Sequence, residues 1–258
     1  MTDKCSPDSV QPDYGYASQG IRAILFDKDG TLIDFNATWL PVYQQAAELL
    51  CVKAGCEGQA DRLMQAGGYI ATDKSWVADS LLASGTNDQI FQYWIAELGV
   101  PQLENNPQVR EEYDNVFQLK SAGYAPVIHN LDNFLERLQS SGIKLGVATM
   151  DDEDSPIQML EKMNCRNRFD FVCGADSGFG FKPAPGMIQA FAKAVGVEPE
   201  AVMMVGDSPR DLRMGRNAGA GLTVGVLTGA SSKEHLAPLA DRVFDDISGI
   251  LELVANQN

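Results

Sequence analysis

The chain has 258 residues, of which 45% are hydrophobic and 21% charged, proportions that exclude wholesale disorder and allow one large domain, or one domain with a sizeable insert. Its 35 acidic residues outweigh 20 basic ones, giving a formal charge of −15 that repels nucleic-acid phosphates and anionic lipid. No uncharged apolar run approaches the ~18 to 20 residues of a membrane span.

Residues 1–20 lack the apolar stretch of a secretory signal and, with Pro7, Pro12 and Gly15, read as a polar flexible tail. The first strand is expected over Ile21 to Phe26. From Asn36 to Gly123 apolar residues recur at helical spacing, as in Val42, Ala46, Leu49 and Leu50, then Trp76, Val77, Leu81 and Leu82, then Ile90, Phe91, Trp94 and Leu98. This stretch reads as a helical insert with little strand. From Tyr124 helices alternate with short runs of Val, Ile and Leu. Helices are expected at Leu131–Gln139, Pro156–Met163 (with Ser155 as N-cap), Pro185–Val195, Asp211–Ala218 and Ile247–Val254. Strands are expected at Ile143–Ala148, Phe169–Cys173, Ala201–Val205, Leu222–Val226 and Arg242–Phe244. Such alternation implies a mostly parallel α/β sheet with helices on both faces. The core would comprise residues 21–35 and 124–258, interrupted by the insert at 36–123.

Five cysteines, an odd number with no C-x-x-C pair, argue against a disulfide framework or zinc site and fit a reducing cytoplasm. The chemistry gathers where strands end, the place where open parallel sheets bind ligands. The first strand runs into Asp27-Lys28-Asp29-Gly30-Thr31, the second into Thr149, and a later one into Gly206-Asp207-Ser208-Pro209-Arg210-Asp211, while a loop supplies Lys182-Pro183-Ala184-Pro185. Singly, each has a plain alternative: turn chemistry for Asp27 and Asp29, a helix N-cap for Asp207, a solvated surface role for Lys182. Jointly they point to one site. Asp27 and Asp29, two residues apart, leave the strand in the same direction. Two carboxylates ~4 Å apart repel by roughly 4 kcal/mol at an effective dielectric of 20. Four carboxylates (Asp27, Asp29, Asp207, Asp211) against Lys182 leave three negative charges, which a dication reduces to one. All-oxygen ligands with open positions suit Mg²⁺, which accepts substrate phosphate as a further ligand.

These segments resemble the motifs of the haloacid dehalogenase superfamily of phosphohydrolases, in the right order and over the whole chain after Ile21. Phe26 to Leu32 is similar to its D-x-D-G-T motif, Thr149 to the second-motif hydroxyl, Lys182-Pro183-x-Pro185 to the lysine motif, and Gly206 to Asp211 with Ala218-Gly219 to the fourth. The helical insert resembles the cap of the phosphoglycolate phosphatase-like branch. The resemblance implies a Rossmann-like core, a small phosphorylated metabolite as partner, and Mg²⁺ held by Asp27, the Asp29 carbonyl and Asp207, with Asp211 close by. It further implies Asp27 as nucleophile, Asp29 as general acid and base, Thr149 as a phosphoryl ligand, and Lys182 as charge stabiliser. A phosphomutase would use the same nucleophile. A dehalogenase is disfavoured because that branch lacks the second Asp, and a non-catalytic phosphate binder would not need the Asp27–Asp29 pair. Met150 stands where the family often has Asn, and Asp151 to Asp154 form an acidic run suited to the first turn of a helix. Trp39, Tyr43, Trp76 and Trp94 read as insert core, and Arg62 and Lys74 as solvated. Sequence leaves monomer or homodimer open.

Overall fold

The computed structural model describes residues 20–77, 80–120 and 123–255. The expected tail therefore falls almost wholly outside the described residues, as does Cys5.

Strand β1 (Ala23–Phe26) is buried on both faces, the signature of a central parallel strand. The insert follows: α1 (Phe35–Ala54), α2 (Ala60–Ala66), a short antiparallel pair β2 (Tyr69–Ile70) and β3 (Ser75–Trp76), then α3 (Leu81–Ser84), α4 (Asn87–Leu98) and α5 (Pro107–Lys120). After it come α6 (Leu131–Ser140), β4 (Lys144–Ala148), α7 (Asp154–Lys162), β5 (Phe171–Cys173), α8 (Gly186–Val195) and β6 (Val202–Gly206). The chain closes with α9 (Pro209–Ala218), β7 (Leu222–Val226), α10 (Lys233–Leu236), β8 (Arg242–Phe244) and α11 (Ile250–Ala255).

The six strands outside the insert form one sheet, ordered β5-β4-β1-β6-β7-β8, with every pairing parallel. Alternate side chains of β1 feed two cores. Ile24 and Phe26 join Leu145, Val147, Met203 and Val205 under α6 and α11, while Ala23 and Leu25 join Met204 under Phe191 of α8 and Met214 of α9. A third apolar cluster, built on Val42, Leu50, Phe91, Trp94 and Tyr113, belongs to the insert. The chain enters and leaves the insert side by side: Asp34 N–H donates to Ala125 O at 2.8 Å and Val127 N–H to Leu32 O at 3.0 Å. Asp34 then caps α1 by accepting from Ala37 N–H at 2.8 Å.

Most boundaries fall within one or two residues of expectation, and three of the differences have local reasons. Helix α7 starts at Asp154, because Ser155 spends its hydroxyl on Asp151 rather than on a cap. Helix α9 starts at Pro209, because Ser208 caps it and Asp211, at the third helical position, returns a bond to the Ser208 N–H. The last expected helix is a 3₁₀ turn (Ile247–Gly249) followed by α11.

Candidate active site

The carboxyl ends of β1, β4 and β6 lie side by side because their strands are neighbours in the sheet. Asp27, the first residue past β1, is pinned to β6 by its N–H, which donates to Val205 O at 2.9 Å. Its carboxylate Oδ1 accepts from Lys182 Nζ at 2.5 Å. The same ammonium stands 2.6 Å from Asp211 Oδ1. Lys182 comes from the loop between β5 and α8, and Asn217 of α9 anchors that loop by donating to Pro183 O at 2.9 Å. Asp207, just beyond β6, accepts from Ala230 N–H at 3.1 Å. Asp211 accepts from the Ser208 hydroxyl at 2.6 Å.

Asp27, Asp207 and Asp211 are all buried and each offers an oxygen within 4.8 Å of the others. Three carboxylates face one ammonium, leaving two uncompensated negative charges if all ionise. Burial, opposed by Lys182 and aided by Asp211 and Asp29, pushes Asp27 up to about 7. Burial and the Asp27 and Asp211 charges push Asp207 well above the carboxylate range. Asp211 Oδ1 has no hydrogen-bond partner beyond that ion pair with Lys182. An all-oxygen, buried, charge-deficient cluster with a spare acceptor fits a hard divalent cation.

Asp29 stands apart from this cluster. Its Oδ2 pairs with Lys28 Nζ at 2.9 Å and its Oδ1 accepts from the Trp39 indole N–H at 2.5 Å. Burial raises its pKa, with Lys28 opposing. The two carboxylates of the D-x-D segment thus have different cationic partners, although the Asp29 charge helps to raise Asp27. Thr149, directly after β4, is buried; its N–H donates to Cys173 O at 3.1 Å and its hydroxyl accepts from Asp151 N–H at 3.2 Å.

Sequence reasoning passed over four contributors. Lys28 is fully buried, and although burial lowers its pKa, Asp29 and Asp151 more than offset that and hold it protonated. Asp151 lies not in a helix turn but against Lys28 Nζ at 2.5 Å; burial raises its pKa, but Lys28 and Ser155 outweigh that and hold it low. Of the acidic run only Asp154 occupies the first turn of α7. Trp39 reaches Asp29, whereas Trp76 binds Asn36, Trp94 binds Leu63 O, and Tyr43 lies in the insert core. The loop after β7 also closes on the site: Thr228 donates its hydroxyl to Gly30 O at 2.6 Å, and Gly229 lies against Asp207. The signals were present, namely a lysine at a position alternating toward the interior and a Thr-Gly pair beyond a strand.

Comparison with known proteins supplies the family and the fold. The family model for haloacid dehalogenase-like hydrolases matches residues 21–219. A phosphoglycolate phosphatase from Vibrio cholerae is 28% identical over 246 residues, covering 92% of this chain and 98% of the relative. One from Rhodospirillum rubrum is 35% identical over 117 residues, 45% of this chain and 48% of the relative. In fold, the chain is similar to a haloacid dehalogenase family hydrolase from Deinococcus radiodurans crystallised with bound phosphate and sodium (TM-score 0.66, 18% identity, 92% and 96% covered). It is equally similar to a Thermotoga maritima structure provisionally assigned as a β-phosphoglucomutase (TM-score 0.66, 21% identity, 92% and 100% covered). Among the described residues no helix is long and apolar enough to cross a membrane.

Proposed function

We propose that this chain, which belongs to the haloacid dehalogenase-like hydrolase family, is a Mg²⁺-dependent phosphatase that hydrolyses a small phosphomonoester, of the phosphoglycolate or sugar phosphate kind, through an aspartyl-phosphate on Asp27. One observation carries the reading: a buried aspartate at the end of the central strand, 2.5 Å from a buried lysine, inside a cluster of three carboxylates.

In this reading an oxygen of Asp27 attacks phosphorus and the bond to the ester oxygen breaks. Asp29 gives the leaving alkoxide its proton. It then takes a proton from water, which attacks the same phosphorus and releases phosphate while Asp27 regains its carboxylate. Thr149 donates its hydroxyl to the moving phosphoryl group, and Lys182 offsets charge on Asp27 and the phosphoryl oxygens. Asp27, the Asp29 carbonyl and Asp207 hold Mg²⁺, with Asp211 beside them. When bound, the cation supplies the positive charge that lets a phosphate dianion approach these carboxylates. Residues 36–123 act as a cap over the core of 21–35 and 124–258, shielding the first step from water. The acidic surface suits a cytoplasmic enzyme of small metabolites, with neither nucleic acid nor membrane as partner.

The test is phosphate release from a panel of small phosphomonoesters with Mg²⁺ and with EDTA, beside Asp27→Asn. Release that requires both Mg²⁺ and Asp27 is expected. Full-rate release by Asp27→Asn would overturn the reading. Transfer to a sugar that depends on a bisphosphate activator, in place of release, would make the chain a phosphomutase.

A further inference from the structure

Lys28 takes no part in the reaction just described, yet it is completely buried. An ammonium shut away from water must be matched by its surroundings. Here four separate pieces of chain supply the match, one of them the ring of Tyr124 at 6.0 Å. The loop after β1 gives Asp29 Oδ2 at 2.9 Å. The segment after β4 gives Asp151 Oδ2 at 2.5 Å and Ser155 Oγ at 3.2 Å. Helix α1 of the insert gives the face of Trp39, its ring centre 5.4 Å away.

Trp39 also donates its indole N–H to Asp29 Oδ1 at 2.5 Å. Both oxygens of Asp29 therefore have a fixed partner, one from the core and one from the insert. We infer that Lys28 and Trp39 are positioning residues for Asp29, holding its carboxyl toward the insert and away from the Asp27–Asp207–Asp211 cluster. Without them the Asp29 side chain is free to turn toward the cation as one more ligand, where it no longer faces a leaving group. The inference concerns where the carboxyl stands, and it rests on the reading of Asp29 proposed above.

The test compares leaving groups. An alkoxide needs a proton from a well-placed acid, while 4-nitrophenolate leaves without one. The variants are Trp39→Phe, which keeps an aromatic ring and removes the N–H, and the double substitution Lys28→Met/Asp151→Asn, which removes the ammonium with one of its two carboxylate partners and so leaves the local net charge unchanged. For each, kcat/KM is measured on 4-nitrophenyl phosphate and on the alkyl phosphomonoester that wild type turns over fastest. The expected loss on the alkyl ester is about tenfold for Trp39→Phe and about a hundredfold for the double variant, with the aryl ester within about threefold of wild type. Equal losses on both esters, or no loss on either, would overturn the inference. A wild-type chain that releases phosphate from neither ester would instead sink the phosphatase reading, and the inference with it.

Discussion

Lys182 and Asp27 are 155 residues apart in the chain, yet Nζ and Oδ1 meet at 2.5 Å in the interior. Among the described residues this lysine is the one cationic partner of the three-carboxylate cluster, since it also contacts Asp211 at 2.6 Å. Lys182→Met should therefore be costly twice over. Leaving the buried carboxylates without their counter-ion should lower stability by about 3–5 kcal/mol above neutral pH, and by less at pH 6, where Asp27 can protonate. Turnover should fall at least a hundredfold. Urea unfolding at pH 6 and pH 8, with phosphate release alongside, checks both. A variant as stable as wild type at pH 8 would contradict the assigned charge balance.

The same cluster sets a pH dependence in which the metal-free and metal-bound proteins move differently. Asp27 is raised to about 7 and Asp207 is raised well above its usual value. Raised carboxyls bind more protons in the folded than in the unfolded state, so metal-free stability falls as pH climbs from about 4 through about 7. A cation must displace those protons, so its binding strengthens over the same rise. The Mg²⁺-induced gain in Tm should be larger at pH 8 than at pH 6, and the difference should shrink in Asp207→Asn. Scanning calorimetry at both pH values, with Mg²⁺ or EDTA, provides the measurement. A gain independent of pH would mean that these carboxyls are already ionised without the cation.

How much of this was legible in the sequence follows from which forces are local. The parallel strands could be read because β1, β4, β6 and β7 are short apolar runs, and a strand buried on both faces must be one. Asp27, Thr149 and Asp207 were legible for the same reason, since each sits one residue past such a run. The partnership of Lys28 with Asp151 was not, because 123 residues separate them and only the pairing of β1 with β4 brings them together. The acidic run illustrates the limit: helix-dipole reasoning holds for Asp154, but Asp151 answers to a buried charge that no local rule contains. The general expectation that a tryptophan on an amphipathic helix is core holds for Trp94 on α4 and for the ring of Trp39, which packs on Tyr43 against the insert core, but it does not foresee the bond from the Trp39 N–H to the carboxylate facing α1.

Ser208 joins helix formation to the placement of Asp211. Its hydroxyl accepts from Asp211 N–H at 3.4 Å and donates to Asp211 Oδ2 at 2.6 Å. Ser208→Ala should cost about 1 kcal/mol through the lost cap. It should also weaken Mg²⁺ binding several-fold, since Asp211 then keeps only the Ser208 N–H at 3.2 Å to orient that oxygen. Denaturant unfolding reports the first effect and a Mg²⁺ titration the second. Stability lost with metal affinity intact would show that the cap serves the helix alone.

Gly229 gives the most selective prediction, because its effect is aimed at one side chain. A Cβ built on Gly229 would lie 1.8 Å from Asp207 Oδ2 and 2.2 Å from its Cγ, far inside contact distance. On its other side Gly229 abuts Gly30, whose φ of +76° disfavours any side chain there, so the loop after β7 has little room to retreat. The Asp207 side chain must move as a whole, because its Cβ would also lie 2.5 Å from the added methyl, and it loses its bond from Ala230 N–H. Gly229→Ala should therefore weaken Mg²⁺ binding at least tenfold. If the effect runs through Asp207, it should vanish once that side chain is gone, its Cβ included, since that atom too would lie 2.5 Å from the added methyl: Asp207→Gly and Asp207→Gly/Gly229→Ala should bind Mg²⁺ equally poorly. Comparable additional losses in both backgrounds would mean that Gly229→Ala disturbs the loop as a whole, and that the close approach of Gly229 to Asp207 is not what fixes the carboxylate.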